Sequence, residues 1–489
     1  MLIQNKVQLI TYPDSLGGNL ESLKKLLFTR FTDIFGGVHI LPPFPSSADR
    51  GFAPLTYFEI DPRFGSWQDI RMIGEQFDVV LDLMVNHISR KSSYFQDFIQ
   101  IGRRSKYADM FITLDKIWPK GEPVQKDVSK IFLRRPEHPF SDIMIEETGQ
   151  VERVWSSFGT RDWSEQMDLD VNSPITRQFF RDVLTFMSRN SVNIVRLDAI
   201  AYITKKPGTN CFFVEPDIYA FLNWIRSEAQ AVNIELLPEV HAHYSIQSSL
   251  AEHNFWIYDF ILPMLVLQAS FSRNSRRLQR HLKRCPRRQF TMLDAHDGIP
   301  VQPDLNGVIP VDEAQQIVQI CLERGANLNR IFSVEHRLRP DFDAHQINCT
   351  YYSALDRDDD AYITARAIQF FSPGIPQIYY VGLLAGENDQ RAVAETGEGR
   401  AINRHNYSLE EVDQALEKPV VQRLLRLIRF RNELEAFNGD FVVHDTEDGE
   451  LKLSWSKDEA SCTLHVDMNS ARSIIEYRNR EGILRKYVP

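Results

Sequence analysis

The chain has 489 residues, more than one simple core accommodates and enough for a barrel with insertions and a small extra domain. Its 43% hydrophobic and 25% charged residues are the balance of an ordinary globular protein, and a net charge of −10 argues against nucleic acid or an anionic membrane as the main partner. The five cysteines are scattered, the N-terminus lacks the pattern of a secretion signal, and no apolar run reaches the ~20 residues that span a bilayer, so a cytoplasmic protein with reduced thiols is expected.

Val7–Thr11 and Gly37–Leu41 read as the first two strands: short, apolar and β-rich. The amphipathic stretch Ser66–Gln76 leads into a third, Val79–Val85. A long interval rich in Pro, Trp and charge follows, and then the helical pattern Thr176–Arg189 precedes a strand at Asn193–Leu197. Glu215–Val232 reads as a helix before the strand Ile234–Leu237. Phe255–Leu262, Phe290–Leu293 and, after a helix at Ala361–Phe371, Ile375–Tyr380 complete a set of eight strands. This alternation is α/β, and its spread favours a closed (β/α)8 TIM barrel over an open dinucleotide-binding sheet. No G-x-G-x-x-G follows the first strand.

The barrel is expected over 1–87, 168–298 and 351–435, with one inserted domain at 88–167 and a second at 299–350. Over 436–489 the apolar pattern turns to period 2, as in Phe441-Val442-Val443 and Leu451–Trp455, which predicts a small β domain.

Three strand-like runs end in carboxylates: Asp198 after Ile194–Leu197, Glu239 after Ile234–Pro238, and Asp297 after Phe290–His296. A (β/α)8 barrel collects its reactive groups at such positions. Retaining glycoside chemistry needs a nucleophilic carboxylate on one face of a sugar and an acid/base at the leaving oxygen. Asp198 suits the nucleophile, because Arg196 two residues earlier shares its strand face and favours the ionised form. Glu239 suits the acid/base, because its apolar neighbours disfavour its charge. Asp297, beside His296, suits stabilisation of positive charge at the anomeric carbon.

Four short motifs carry a family resemblance: Asp82–His87, Val195–Ala199, Pro238–His241 and Asp294–Asp297. In this order the chain resembles the α-amylase family of glycoside hydrolases. Further segments are similar to its sucrose phosphorylase branch: Gln8–Tyr12, Gly36–Pro42, Asp49–Pro54, Phe213–Pro216, Pro376–Gly382 and Ile402–His405. The resemblance implies transfer of glucose from a sucrose-type donor to inorganic phosphate through a β-glucosyl–enzyme intermediate. It implies Asp198 as nucleophile, Glu239 as acid/base and Asp297 as stabiliser. It places His87, Arg196 and His296 on the donor sugar, with Phe52 and Gln166 in the same pocket and His241 among the substrate-binding residues. Asp49 and Arg404 would bind the far hydroxyls of the glucose.

Two departures bear on the acceptor. His345 stands where plain sucrose phosphorylases usually carry Tyr, and adjacent arginines, Arg134 and Arg135, occur in the first insertion. The segment before His345 and Gln346 adds His336, Arg337 and Arg339. Guanidinium groups bind phosphate bidentately, so these loops suit a phosphorylated sugar such as sucrose 6′-phosphate. Inorganic phosphate alone, or another glucoside such as glucosylglycerol or glucosylglycerate, stays open. A plain hydrolase shares the first half-reaction. A non-catalytic barrel would have lost carboxylates that this chain keeps.

No metal or cofactor is expected. His241 and His243 lack a completing ligand set, and the acidic run Asp356–Asp360 lacks the spacing of a calcium loop and reads as a turn and helix start. The expected partners are a small sugar substrate and inorganic phosphate, in a monomer or homodimer.

Overall fold

The computed structural model describes residues 3–159, 162, 164–478 and 483–489. Eight parallel strands are present: β1 (Gln8–Thr11), β2 (Gly37–Ile40), β3 (Asp78–Met84), β4 (Ile194–Asp198), β5 (Glu235–Pro238), β6 (Ile257–Asp259), β7 (Gln289–Thr291) and β8 (Ile375–Tyr379). Nearly every residue in them is buried, as in a parallel sheet covered on both faces. Sequence neighbours pair from β1 to β5 and from β6 to β8, and β8 returns to β1 with Leu9 opposite Ile378 and Ile10 opposite Tyr379. Pairing of the last strand with the first is the signature of the (β/α)8 fold that the sequence predicts.

The helices lie where the amphipathic patterns put them, with ends set by caps. Trp67–Gly74 starts at a capping box between Ser66 and Asp69, and Pro174–Arg189 starts at Ser173, whose hydroxyl accepts from the Ile175 N–H. The expected strand Phe255–Leu262 is cut to Ile257–Asp259. Asp259 accepts from the amides of Ile261 and Leu262 at 3.3 and 3.1 Å and starts the helix Leu262–Ser272 there. In the acidic run, Asp358 caps the helix Asp359–Phe371 through the Ala361 N–H at 2.9 Å, as the turn reading anticipates.

The chain forms two compact units. One comprises residues 40–240 and 331–336 and contains β3, β4 and β5. Between β3 and β4 it carries a hairpin, Phe140–Met144 with Val151–Trp155, over an apolar cluster in which Trp118 and Trp155 stack with ring centres 5.9 Å apart. The other unit comprises the chain up to His39 with residues 241–330 and 337–489. After β7 it carries a three-stranded antiparallel sheet, Ile299–Pro300, Ala344–Asn348 and Asn327–Arg330, and the helix Val311–Glu323. It ends in the C-terminal β domain, a five-stranded antiparallel sheet whose last strand is Leu484–Tyr487. Among the described residues no helix is long and apolar enough to cross a membrane.

Candidate active site

In the unit holding β3 to β5, Asp82 and Arg196 face each other in register across β3 and β4. Arg196 is 3% exposed, and its Nη1 lies 2.5 Å from Asp82 Oδ1 and 2.7 Å from Asp198 Oδ1. Its Nη2 is 3.7 Å from Glu239 Oε1. The Glu239 N–H donates to the Leu197 carbonyl at 3.1 Å, which carries the β4–β5 ladder past the end of β5. Ala199 turns the chain off β4 with φ of 53°, and its N–H donates to Glu239 Oε2 at 3.3 Å. One guanidinium thus gathers three largely buried carboxylates.

That imbalance decides the protonation. Burial first, and then the negative charges of Glu239 and Asp82, push the Asp198 carboxyl up to about 8 against the downward pull of Arg196. The expectation that Arg196 keeps Asp198 ionised at neutral pH thus meets two opposing causes, burial and the neighbouring carboxylates. Titrations within a buried group of three carboxylates and one cation are coupled, and the direction at Asp198 favours the protonated form.

The remaining donor-side residues of this unit sit on a tight scaffold. Asp49 and Arg50 both adopt left-handed backbone (φ 49° and 47°), and Gly51 follows at φ 109°, where a Cβ would lie 2.5 Å from the Pro42 carbonyl oxygen. This turn presents Phe52, whose ring lies 5.9 Å from the Arg196 guanidinium carbon. His87 is buried, its ring held well down at about 4 by burial, so it is neutral at pH 7. With the Phe52 carbonyl 3.0 Å from Nε2, the proton belongs on that nitrogen. Gln166 is 2% exposed and pairs with Ser89 in the two-stranded ladder that also sets His87 opposite Asp168. Lys205, which sequence reasoning passed over, is buried with its Nζ 2.7 Å from Asp168 and 2.9 Å from Asn86 Oδ1, and also donates to the Tyr202 carbonyl.

In the other unit, Asp297 Oδ1 lies 3.0 Å from Arg400 Nη1, and His296 Nε2 is 3.8 Å from Asp297 Oδ2. Arg404 Nε donates to the His296 carbonyl at 3.0 Å and its guanidinium lies over Tyr12, 5.8 Å from the ring centre. Asn403 donates to the Ala295 carbonyl at 3.0 Å. Below this loop, Asp294 and Arg366 form an ion pair of 2.6 Å with side chains 3% and 0% exposed. Arg400 is the second residue that the sequence reading missed. It stands four residues before Arg404 with no strand end to mark it, and it also reaches Gln346 Oε1 at 3.3 Å.

The acceptor candidates separate into different environments. His241 stacks on Phe260 at 4.0 Å, lies 3.8 Å from Asp304 through Nδ1, and meets His345 edge-on at 6.3 Å. His345 is 2% exposed and its Nδ1 is 2.7 Å from the Gln302 carbonyl. Arg134 is half-buried and has no hydrogen-bond or ion-pair partner among the described residues. Its loop is pinned on the segment 331–336: the Leu133 N–H donates to Ser333 Oγ at 3.1 Å, and Phe132 meets His336 edge-on at 5.0 Å. Arg135 instead turns into the insertion, where Nη1 donates to Ser156 Oγ at 2.7 Å, the Ser156 carbonyl at 3.1 Å and Ser141 Oγ at 3.2 Å. Arg339 is paired to Asp312 and Asp341 at 2.7 Å each and also donates to Gln315. The arginines that look alike in sequence thus differ: one is uncommitted, one is structural and one is neutralised.

Residues 33–248 match the family model of the alpha amylase catalytic domain. The fold and these motifs define an α-amylase-family barrel, and the full-length relatives narrow that class. The chain is 58% identical over its whole length, and over the whole of the relative, to a sucrose 6(F)-phosphate phosphorylase of Thermoanaerobacterium thermosaccharolyticum. A crystal structure of sucrose 6F-phosphate phosphorylase from Thermoanaerobacter thermosaccharolyticum superposes with a TM-score of 0.97, covering 100% of this chain and 98% of that one at 58% identity. A sucrose phosphorylase of Streptococcus mutans is 46% identical (99% and 94% covered), and a glucosylglycerol phosphorylase of Marinobacter adhaerens 43% (98% of each). The chain belongs to the sucrose phosphorylase branch of the α-amylase family.

Proposed function

We propose that the chain is a retaining phosphorylase that moves glucose from sucrose 6′-phosphate to inorganic phosphate, giving α-glucose 1-phosphate and fructose 6-phosphate. The full-length similarity to a protein of that name carries the reading. An uncommitted Arg134 in the first insertion supports it, because a guanidinium fork suits a phosphate monoester.

In the first half-reaction a carboxylate oxygen of Asp198 attacks the anomeric carbon, the bond to the fructosyl oxygen breaks, and Glu239 gives its proton to that oxygen. Asp198 holds the shorter contact to Arg196, 2.7 Å against 3.7 Å, which favours Asp198 as the carboxylate and leaves Glu239 as the acid. In the second half-reaction a phosphate oxygen attacks the same carbon, the bond to Asp198 breaks, and Glu239 accepts the proton. Two inversions give net retention. Asp297, its position set by Arg400, stabilises the positive charge that develops on the sugar. Phe52, His87, Gln166, Asp49, His296 and Arg404 bind the glucose, and His241, His345 and Gln346 line the acceptor side. A phosphorylated donor places the reaction in the cytoplasm.

A second reading, with sucrose itself as donor, draws on the engagement of Arg135 and Arg339, which leaves fewer cations for a second phosphate than the sequence suggests. Phosphate-dependent release of glucose 1-phosphate, measured side by side on both sugars, decides. Higher kcat/KM on sucrose 6′-phosphate is the expected result; a preference for sucrose selects the second reading.

A further inference from the structure

A cavity of about 130 Å³ lies between the helices Tyr244–Glu252 and Arg276–Leu282. At about 30 Å³ per liquid water it has room for about four waters, the scale of a phosphate group with part of a small carbon body. Arg277, Arg280 and Arg284 line it, spaced three and four residues apart so that they share one side of the chain's helical course. Arg277 is committed to Glu313 at 2.8 Å. Arg280 and Arg284 are exposed and have no hydrogen-bond, ion-pair or ring partner among the described residues.

The floor is closed by hydrogen bonds. Asp259 is 2% exposed, caps its own helix through Oδ1, and holds His281 Nε2 at 2.8 Å through Oδ2. Both carboxylate oxygens are therefore engaged before any ligand arrives, and the two unpartnered guanidinium groups add positive charge at the rim. Ile257, Ile261, Pro286 and Val308 form an apolar wall beside the rim. Asp259, His281 and Cys285 could by spacing hold a metal ion, their ligand atoms lying within 4.8 Å of one another. Two features oppose this. Burial pushes the Cys285 thiol up, away from the thiolate that a metal needs, and the arginines repel a cation.

We infer that this cavity is a second binding site, for the phosphate monoester of a small sugar or polyol. The phosphate is taken by Arg280 and Arg284 and the carbon body lies on the apolar wall. Gln247, in the same wall, donates to Asp304 at 3.4 Å, and Asp304 faces His241, so an occupant sits two contacts from the His241–His345 pair.

Titration calorimetry of the full-length protein with glucose 6-phosphate tests the site, using the parent, Arg134→Ala, and the double variant Arg280→Glu/Arg284→Glu. Both arginines are exposed, and circular dichroism with unchanged turnover verifies that the double variant folds. The expected result is binding by the parent and by Arg134→Ala, weakened at least tenfold in the double variant. Loss of binding in Arg134→Ala with retention in the double variant would assign the ligand to the acceptor side and overturn the proposal. So would absence of binding by the parent at millimolar ligand. Stoichiometric Zn²⁺ uptake abolished by Cys285→Ser would overturn it in favour of a metal site.

Discussion

Asp82 lies opposite Arg196 in the β3–β4 ladder, and their side chains meet at 2.5 Å with 0% and 4% exposure. The pair fixes the guanidinium from below, so that its remaining reach goes to Asp198 and Glu239 at the strand ends. Asp82 is fully buried, so it acts through Arg196 as a positioning residue.

Replacing Asp82 by Ala leaves Arg196 free to turn toward Glu239. The variant is expected to lose about 3–5 kcal/mol of stability, the usual cost of removing one partner of a buried pair, in urea unfolding. In the fraction that folds, kcat falls with a smaller change in KM. An unchanged kcat would mean that Asp82 has only a structural role.

The proton retained near Asp198 gives a stability prediction with a definite sign. Its folded value of about 8 is above the ordinary 3.8. Between these values the native state binds the proton and the unfolded state does not, so stability contributed here is present at low pH and is lost as pH rises toward 8. Asp198→Asn removes the titrating group. Its Tm relative to the parent should rise between pH 5 and pH 8; a pH-independent difference would place the proton elsewhere.

Glu239→Gln should lower turnover on a sucrose-type donor by roughly 10²–10⁴-fold, the range for loss of a general acid. α-Glucosyl fluoride, whose leaving group needs no proton, should lose far less in formation of the covalent intermediate. Asp198→Ala should abolish transfer from both. Equal losses of Glu239→Gln on the two donors would argue against its role as the acid.

The two adjacent arginines should part ways. Arg134→Ala is expected to raise KM for sucrose 6′-phosphate tenfold or more and to change KM for sucrose little. Arg135→Ala empties a buried network with Ser141 and Ser156 and should lower Tm without favouring either donor. A selective KM effect in Arg135→Ala would reverse these assignments.

Arg400→Ala removes the guanidinium 3.0 Å from Asp297 and the contact to Gln346. Reduced kcat with both donors is expected in steady-state assays. A change confined to one donor would make Arg400 a specificity residue instead.

The sequence by itself determined the eight strands, because buried parallel strands are continuous apolar runs and helices keep a 3.6-residue period. It also marked Asp198, Glu239 and Asp297, since a carboxylate that ends an apolar strand is conspicuous in one dimension. What it could not weigh was how charges balance in three. Asp82 is an ionisable side chain inside an apolar strand, and its partner is 114 residues away. Arg400 carries no local mark, and reaches Asp297 only through the folded loop. Arg134 and Arg135 are identical in type and adjacent, but successive side chains diverge, and the serines that claim Arg135 come from the hairpin. The direction in which the Asp198 carboxyl shifts was decided by tertiary structure as well. Burial and the count of carboxylates around a single guanidinium are properties of the packed site, and outweigh the neighbour two residues away that the strand pattern reveals.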